Sequence, residues 1–177
     1  MRFLLNAALF YGGWFACVFG MGAGIPALAP LAAAAVVAVH LAPHPARRAE
    51  AWVVIVVTLI GPLLETAVAW LSAARFAEPL LFGIYAPPGV LATWAVFATT
   101  FDASLGWLSS RLWVAGALAL VGAPLSYAAA ARVDAVELSD GWVIPVAGVW
   151  GIGLPAVLWI ASEVRRRATP EAQASEA

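Results

Sequence analysis

AWVVIVVTLIGPLLETAVAWLSA, residues 51–73, decides the fold. As a helix rising about 1.5 Å per residue, the stretch reaches about 34 Å, enough to cross a hydrocarbon core of about 30 Å. Its one charge is Glu65. An ionised group at bilayer depth costs about 2.5 to 3.5 kcal/mol, so Glu65 marks a functional or helix-pairing site. Thr58, Gly61, Glu65, Ala69 and Ser72 recur at three- and four-residue spacing as a small, polar stripe, with Ile60, Leu64, Val68 and Leu71 on another side. That pattern turns Glu65 into a bundle.

The rest of the chain repeats the composition of this stretch. Of its 177 residues 64% are hydrophobic and 11% charged, with mean hydropathy +0.93, whereas ordinary globular chains are about 25% charged. Lipid is therefore the main solvent. Six apolar segments are long enough to cross, at 3–20, 24–42, 51–73, 89–109, 112–130 and 142–162. Backbone amides facing lipid need partners inside their own segment, so the spans are expected to be helices. The fold class is all-α: a polytopic membrane protein with six transmembrane helices in one bundle over residues 1–163. Residues 164–177 form a basic cytoplasmic stop and a tail without apolar periodicity, expected to be disordered.

Arginine placement orients the bundle, since cytoplasmic flanks retain Lys and Arg. With the N-terminus inside, Arg2, Arg47, Arg48, Arg111, Arg165, Arg166 and Arg167 are cytoplasmic, against Arg75 and Arg132 outside. Both ends are thus expected in the cytoplasm. Phe76, Phe82 and Tyr85 suit an interfacial aromatic belt on the exterior side, and Pro87-Pro88 suits a helix start. With no lysine and a net charge of −1, no nucleic-acid partner is indicated.

Asp102 is the second carboxylate inside an apolar segment, on a stripe with Ala95, Thr99 and Gly106 that is expected to face inward. Helical rise puts Glu65 about 4.5 Å to the exterior side of the midplane and Asp102 about 4.5 Å to the cytoplasmic side. Two polar layers follow, Glu65 with Ser126 or Tyr127 and Asp102 with Asn6. Gly12, Ala16 and Gly20 give helix one a small-residue face for close approach. Either the polar groups bond across helices and fix packing, or they line a small polar pocket.

Other chemistry is sparse. His40, His44 and the lone Cys17 are too few ligands for a metal site, so none is expected and the histidines are read as interfacial or solvated. No cofactor motif is present, and neither Ser126 nor Cys17 has a histidine near it in sequence. One cysteine excludes an intramolecular disulfide. Pro62, Pro124, Pro145 and Pro155 are expected to mark bends.

Asn6 with Phe10 and Trp14-Phe15, the run Trp94 to Thr100 leading into Ser104-Leu105-Gly106-Trp107-Leu108, and Gly122 to Tyr127 together resemble the bacterial inner-membrane family known as domain of unknown function 2878. In that family an acidic residue follows a glycine in the third helix, which Gly61 and Glu65 resemble, with Glu in place of the usual Asp. At the position of Asp102 the family more often carries an uncharged polar residue, so no role for Asp102 follows from the resemblance. Where the family tends to glycine after Tyr127, this chain has Ala128 to Ala131. The family has no established activity. Its association with fatty-acid-modifying methyltransferases and flavin oxidoreductases implies an accessory role in lipid modification, in a bacterial inner membrane.

The candidate binding residues are Asn6, Trp14, Glu65, Thr99, Asp102, Ser126 and Tyr127, with Glu65 and Asp102 as candidates for any catalysis. Three functions remain open: an accessory or scaffold protein that holds a membrane lipid and works with lipid-modifying enzymes; an intramembrane enzyme using a buried carboxylic acid; and a small proton-coupled carrier.

Overall fold

A computed structural model describes residues 2–169; the expected disordered tail lies, from residue 170 onward, outside the described residues. The chain folds as α1 (Arg2–Gly22), α2 (Leu28–Leu41), α3 (Arg47–Ile60), α4 (Pro62–Trp70), β1 (Ala74–Phe76), α5 (Pro88–Ala98), a 3₁₀ turn (Gly106–Ser110), α6 (Leu112–Ala131), β2 (Val136–Leu138) and α7 (Val143–Ala168). Four helical stretches are long and apolar enough to cross a membrane: Phe3–Gly22, Arg47–Trp70, Leu112–Ala131 and Val143–Ala168. Leu28–Leu41 and Pro88–Ala98 are apolar but shorter.

α3 and α4 run on as one helical stretch through Gly61, whose backbone is helical, and the hydrogen-bond ladder is interrupted where Pro62 has no amide to donate. Gly61 before it has a second task. A Cβ there would overlap the Trp94 ring, so the missing side chain lets α5 lie against this junction. α6 and α7 make the most extensive helix pair, and close approach is again the reason: a Cβ on Gly116 would stand 2.8 Å from the Gly151 carbonyl oxygen. On α1 the close-packed small residue is Gly13, which meets Val36 and Val96, whereas Gly12 faces open space. The expected Gly12–Ala16–Gly20 face is therefore displaced, with Gly13, Cys17 and Gly20 buried.

The fourth expected span departs most from a continuous helix. Thr99 and Thr100 turn their hydroxyls back onto the carbonyls of Val96 and Phe97, both at 2.7 Å, and the helix stops at Ala98. Thr99, Thr100, Phe101 and Ser104 are nevertheless buried. At the other end of α5, the Glu78 carboxylate accepts the Gly89 amide at 2.7 Å, satisfying a free helix N-terminal donor. Pro124 and Pro155 lie inside helices, but Pro145 falls in the first turn of α7, where it marks no mid-helix bend.

The connectors gather at two ends. At one, β1 and β2 pair antiparallel, with Ala74 opposite Leu138, Arg75 opposite Glu137 and Phe76 opposite Val136. This ribbon is an addition to the expected all-helical fold. Gly22, ending α1, packs on Val133 at the same end. Tyr85 donates its hydroxyl to the Leu59 carbonyl, and burial raises its pKa above the ordinary value. At the other end, Arg47 caps the last turn of α2 through the Leu41 and Ala42 carbonyls, and the α2–α3 connector meets the segment after α5 and the end of α7.

Candidate functional site

Between the two ends lies a cavity of about 470 Å³, within the range of small-molecule sites. Its walls come from α1, α4, α5, α6 and α7, with the ribbon closing one end. α6 packs on α7 and α1 on α2 and α5, but α1 and α6 share no substantial interface among the described residues. The cavity opens through that gap, its rim formed by exposed Tyr11, Leu118, Gly122 and Ser126. From Leu118 to Ala130 the α6 wall is about 18 Å long at helical rise.

The lining is mostly aromatic and aliphatic. Trp94 stacks on Trp150 with ring centroids 5.2 Å apart and 17° between planes, and Phe97 stands edge-on to Trp94. Glu65 is buried in the wall and accepts a hydrogen bond from the Tyr127 hydroxyl. The Trp150 indole N–H lies beside Tyr127 without completing a hydrogen bond. Thr93, another wall residue, spends its hydroxyl on the Gly89 carbonyl at 2.9 Å. The pocket expected to be polar is thus apolar, with one carboxyl–phenol pair set into it.

Of the candidate binding residues, Trp14, Glu65, Ser126 and Tyr127 line this cavity. Glu65 meets Tyr127, one of the two partners that depth favoured, while Ser126 stays on the exposed rim. Asn6 and Thr99 belong elsewhere. The Asn6 side-chain amide donates to the Thr99 carbonyl at 2.9 Å and accepts from the Ser104 hydroxyl, clipping α1 to the segment after α5. The expected Asn6–Asp102 pairing does not form, because the chain leaves the helix at Ala98 and the helical stripe that aimed Asp102 inward ends there.

Asp102 instead joins a cluster at the connector end. Its side chain is 41% exposed, with Oδ2 at 3.1 Å from His44 Nε2 and Oδ1 at 3.7 Å from Arg165 Nε. Next to it Glu50, with no exposed surface, takes His40 Nε2 at 3.0 Å on one oxygen and Arg165 Nη2 at 2.7 Å on the other. The histidines are therefore paired with carboxylates, not solvated. Sequence reading missed Glu50 and Arg165 because each stood in a stretch counted as connector or tail. Their common side, given by the arginine count, was the available signal.

A helical protein with four helices long and apolar enough to cross a membrane, an open apolar cavity and a separate charged cluster at one end is the class these features define. Residues 3–156 match the family model described as Protein of unknown function (DUF2878), and the chain belongs to that family. No curated protein and no solved structure matches it.

Proposed function

We propose that this chain binds a membrane lipid, its acyl or isoprenoid portion lying in the cavity between α1 and α6, as an accessory or scaffold protein of membrane-lipid modification. The observation that carries the reading is the cavity itself: an apolar, aromatic space reached through an unpacked gap that, in a bilayer, faces lipid and not water. A soluble ligand would have no such route. Lipid-modifying enzymes of a bacterial inner membrane are the expected partners, an association taken from the family.

The proposal includes six crossings with both ends cytoplasmic. Supporting this, the ribbon joins two connectors expected outside, and the His44–Asp102–Arg165–Glu50 cluster joins a connector and a tail expected inside to Asp102, expected on the cytoplasmic half of the fourth span. The short α5 fits as a broken crossing, since irregular backbone at depth is tolerated where protein buries it, as at Thr99 to Phe101.

Gly122 offers a direct test. It lines the cavity, and a Cβ added there meets nothing within 4 Å, so Gly122→Trp extends into the opening without a clash at its root. Native mass spectrometry of protein extracted from its own membranes should find lipid on the wild type and little on folded Gly122→Trp. Lipid-free wild type, or equal lipid on both, would overturn the reading. A second reading, an intramembrane enzyme with Glu65 as proton donor, is favoured by the position of the Glu65–Tyr127 pair in the cavity wall.

A further inference from the structure

The connector-end cluster lies apart from the cavity and takes no part in the proposed lipid binding. It brings together His40 near the end of α2, His44 in the α2–α3 connector, Glu50 in the first turn of α3, Asp102 after α5 and Arg165 in the last turn of α7. Five ionisable groups from five places in the chain converge where a single Arg–Glu pair would hold the helices together.

The geometry points to a divalent cation site formed by His44, Glu50 and Asp102. One ligand atom from each lies within 4.8 Å of the others. With bonds of about 2.0 to 2.2 Å, neighbouring ligands on one ion stand roughly 3.0 to 3.5 Å apart and opposite ones about 4.0 to 4.4 Å. The His44–Asp102 separation of 3.1 Å already has the length of such an edge. A gap at that limit closes to an opposite-ligand distance by about 0.4 to 0.8 Å, and Asp102, its side chain 41% exposed, is on the side where such a shift meets solvent.

Charge and hydrogen bonding favour a cation here. Two carboxylates against Arg165 leave one negative charge when the histidines are neutral. Arg165 holds Glu50 Oε2 at 2.7 Å and stands 3.7 Å from Asp102 Oδ1, so with an ion bound it would act as the outer-sphere partner that orients the ligating carboxylates. His40 holds the other oxygen at 3.0 Å. As a ligand through Nε2, His44 would carry its proton on Nδ1 and exchange its direct contact with Asp102 for a shared ion. An imidazole with two carboxylates is an N/O set suited to zinc or manganese.

The test uses the full-length chain, free of any histidine tag, purified in detergent and stripped with a chelator, with Zn²⁺ and Mn²⁺ as probes. Elemental analysis after desalting should find about one ion per chain. The ion should raise the thermal midpoint of the wild type. His44→Ala and Asp102→Asn should each weaken binding by at least ~10-fold while circular dichroism stays unchanged. Both positions are at the rim, so either variant can stand in if the other misfolds. Absence of a stoichiometric ion on the wild type, or undiminished binding by both folded variants, would overturn the site and leave the cluster a proton-holding structural knot.

Discussion

Glu50 and Glu65 are both buried, yet their surroundings have little in common. Glu50 is gripped on both oxygens by ionisable partners, His40 and Arg165, at the connector end. Glu65 sits mid-bundle beside a phenol on the wall of an apolar cavity. The difference shows that burial of a carboxylate does not define its role. Where counter-charges surround it, the carboxylate organises chain segments; where an apolar cavity adjoins it, the carboxylate faces whatever fills that space.

The largest expected effect tests the first half of that contrast. Glu50→Leu removes the buried carboxylate that Arg165 and His40 share and leaves Arg165 only Asp102 at 3.7 Å, and removing one partner of a buried pair costs up to roughly 3 to 5 kcal/mol. Thermal unfolding in detergent should show a large loss. Adding Arg165→Met should recover much of it, because an apolar pair of similar volume does not leave a lone charge. If Glu50→Leu alone unfolds like the wild type, the cluster does not hold the helices.

Next in size is the wall between the two regions. Gly61→Ala puts a methyl into the Trp94 ring, and overpacking of this kind costs about 1 to 3 kcal/mol. The stacked Trp94–Trp150 pair should be displaced, changing near-ultraviolet dichroism and tryptophan emission along with stability. An unchanged aromatic spectrum would mean that Trp94 does not lie on the Gly61 backbone.

Glu65 should respond far less. Interhelical hydrogen bonds in membranes average only about 0.6 kcal/mol, so Glu65→Gln and Glu65→Leu should both keep the fold. Their use lies in function. Under the scaffold reading Glu65→Gln leaves the lipid profile of the host membrane unchanged, since shape and a hydrogen-bonding group remain. A changed profile with normal folding would favour the proton-donor reading.

Much of the bundle was legible because apolar length and small-residue spacing are local signals. The Gly61–Glu65 stripe is one such case, and the Glu65–Tyr127 contact followed from depth along two helices. The end of α5 was not legible, because the small and polar periodicity continues past Thr99 to Gly106 while the threonine hydroxyls bond back and end the helix. Asp102 was misplaced for that reason. The connector-end cluster was hidden for another: His44 and Asp102 are 58 residues apart, Glu50 and Arg165 115. No spacing rule joins them; only assigning each connector to a side does. Weighing metal ligands among histidines and cysteine alone also left out the two carboxylates of the proposed cation site.

The smallest energetic effect comes from the ribbon, and it tests the arrangement on which both regions depend. Arg75 and Glu137 are direct partners in the ladder, 3.3 Å apart and largely exposed, and pairs of that kind contribute about 0 to 1 kcal/mol. Replacing both with cysteine should therefore leave stability nearly unchanged before oxidation. Directly opposed positions in an antiparallel pair bring the two β-carbons to about 4.5 to 5.5 Å, near enough for a disulfide after slight adjustment. Buried Cys17 should take no part. If residues 74–76 and 136–138 lie together on the exterior side, the bond forms in intact cells under oxidising conditions, and a shifted band appears on non-reducing gels. Single cysteines at Ala46 and Ser139 should label from opposite sides of the membrane. Labelling of Ala46→Cys from outside, with a reduced Arg75→Cys/Glu137→Cys pair, would reverse the proposed orientation, whereas labelling of Ala46→Cys and Ser139→Cys from the same side would break the arrangement in which the ribbon and the cluster of His44, Glu50 and Arg165 lie at opposite ends.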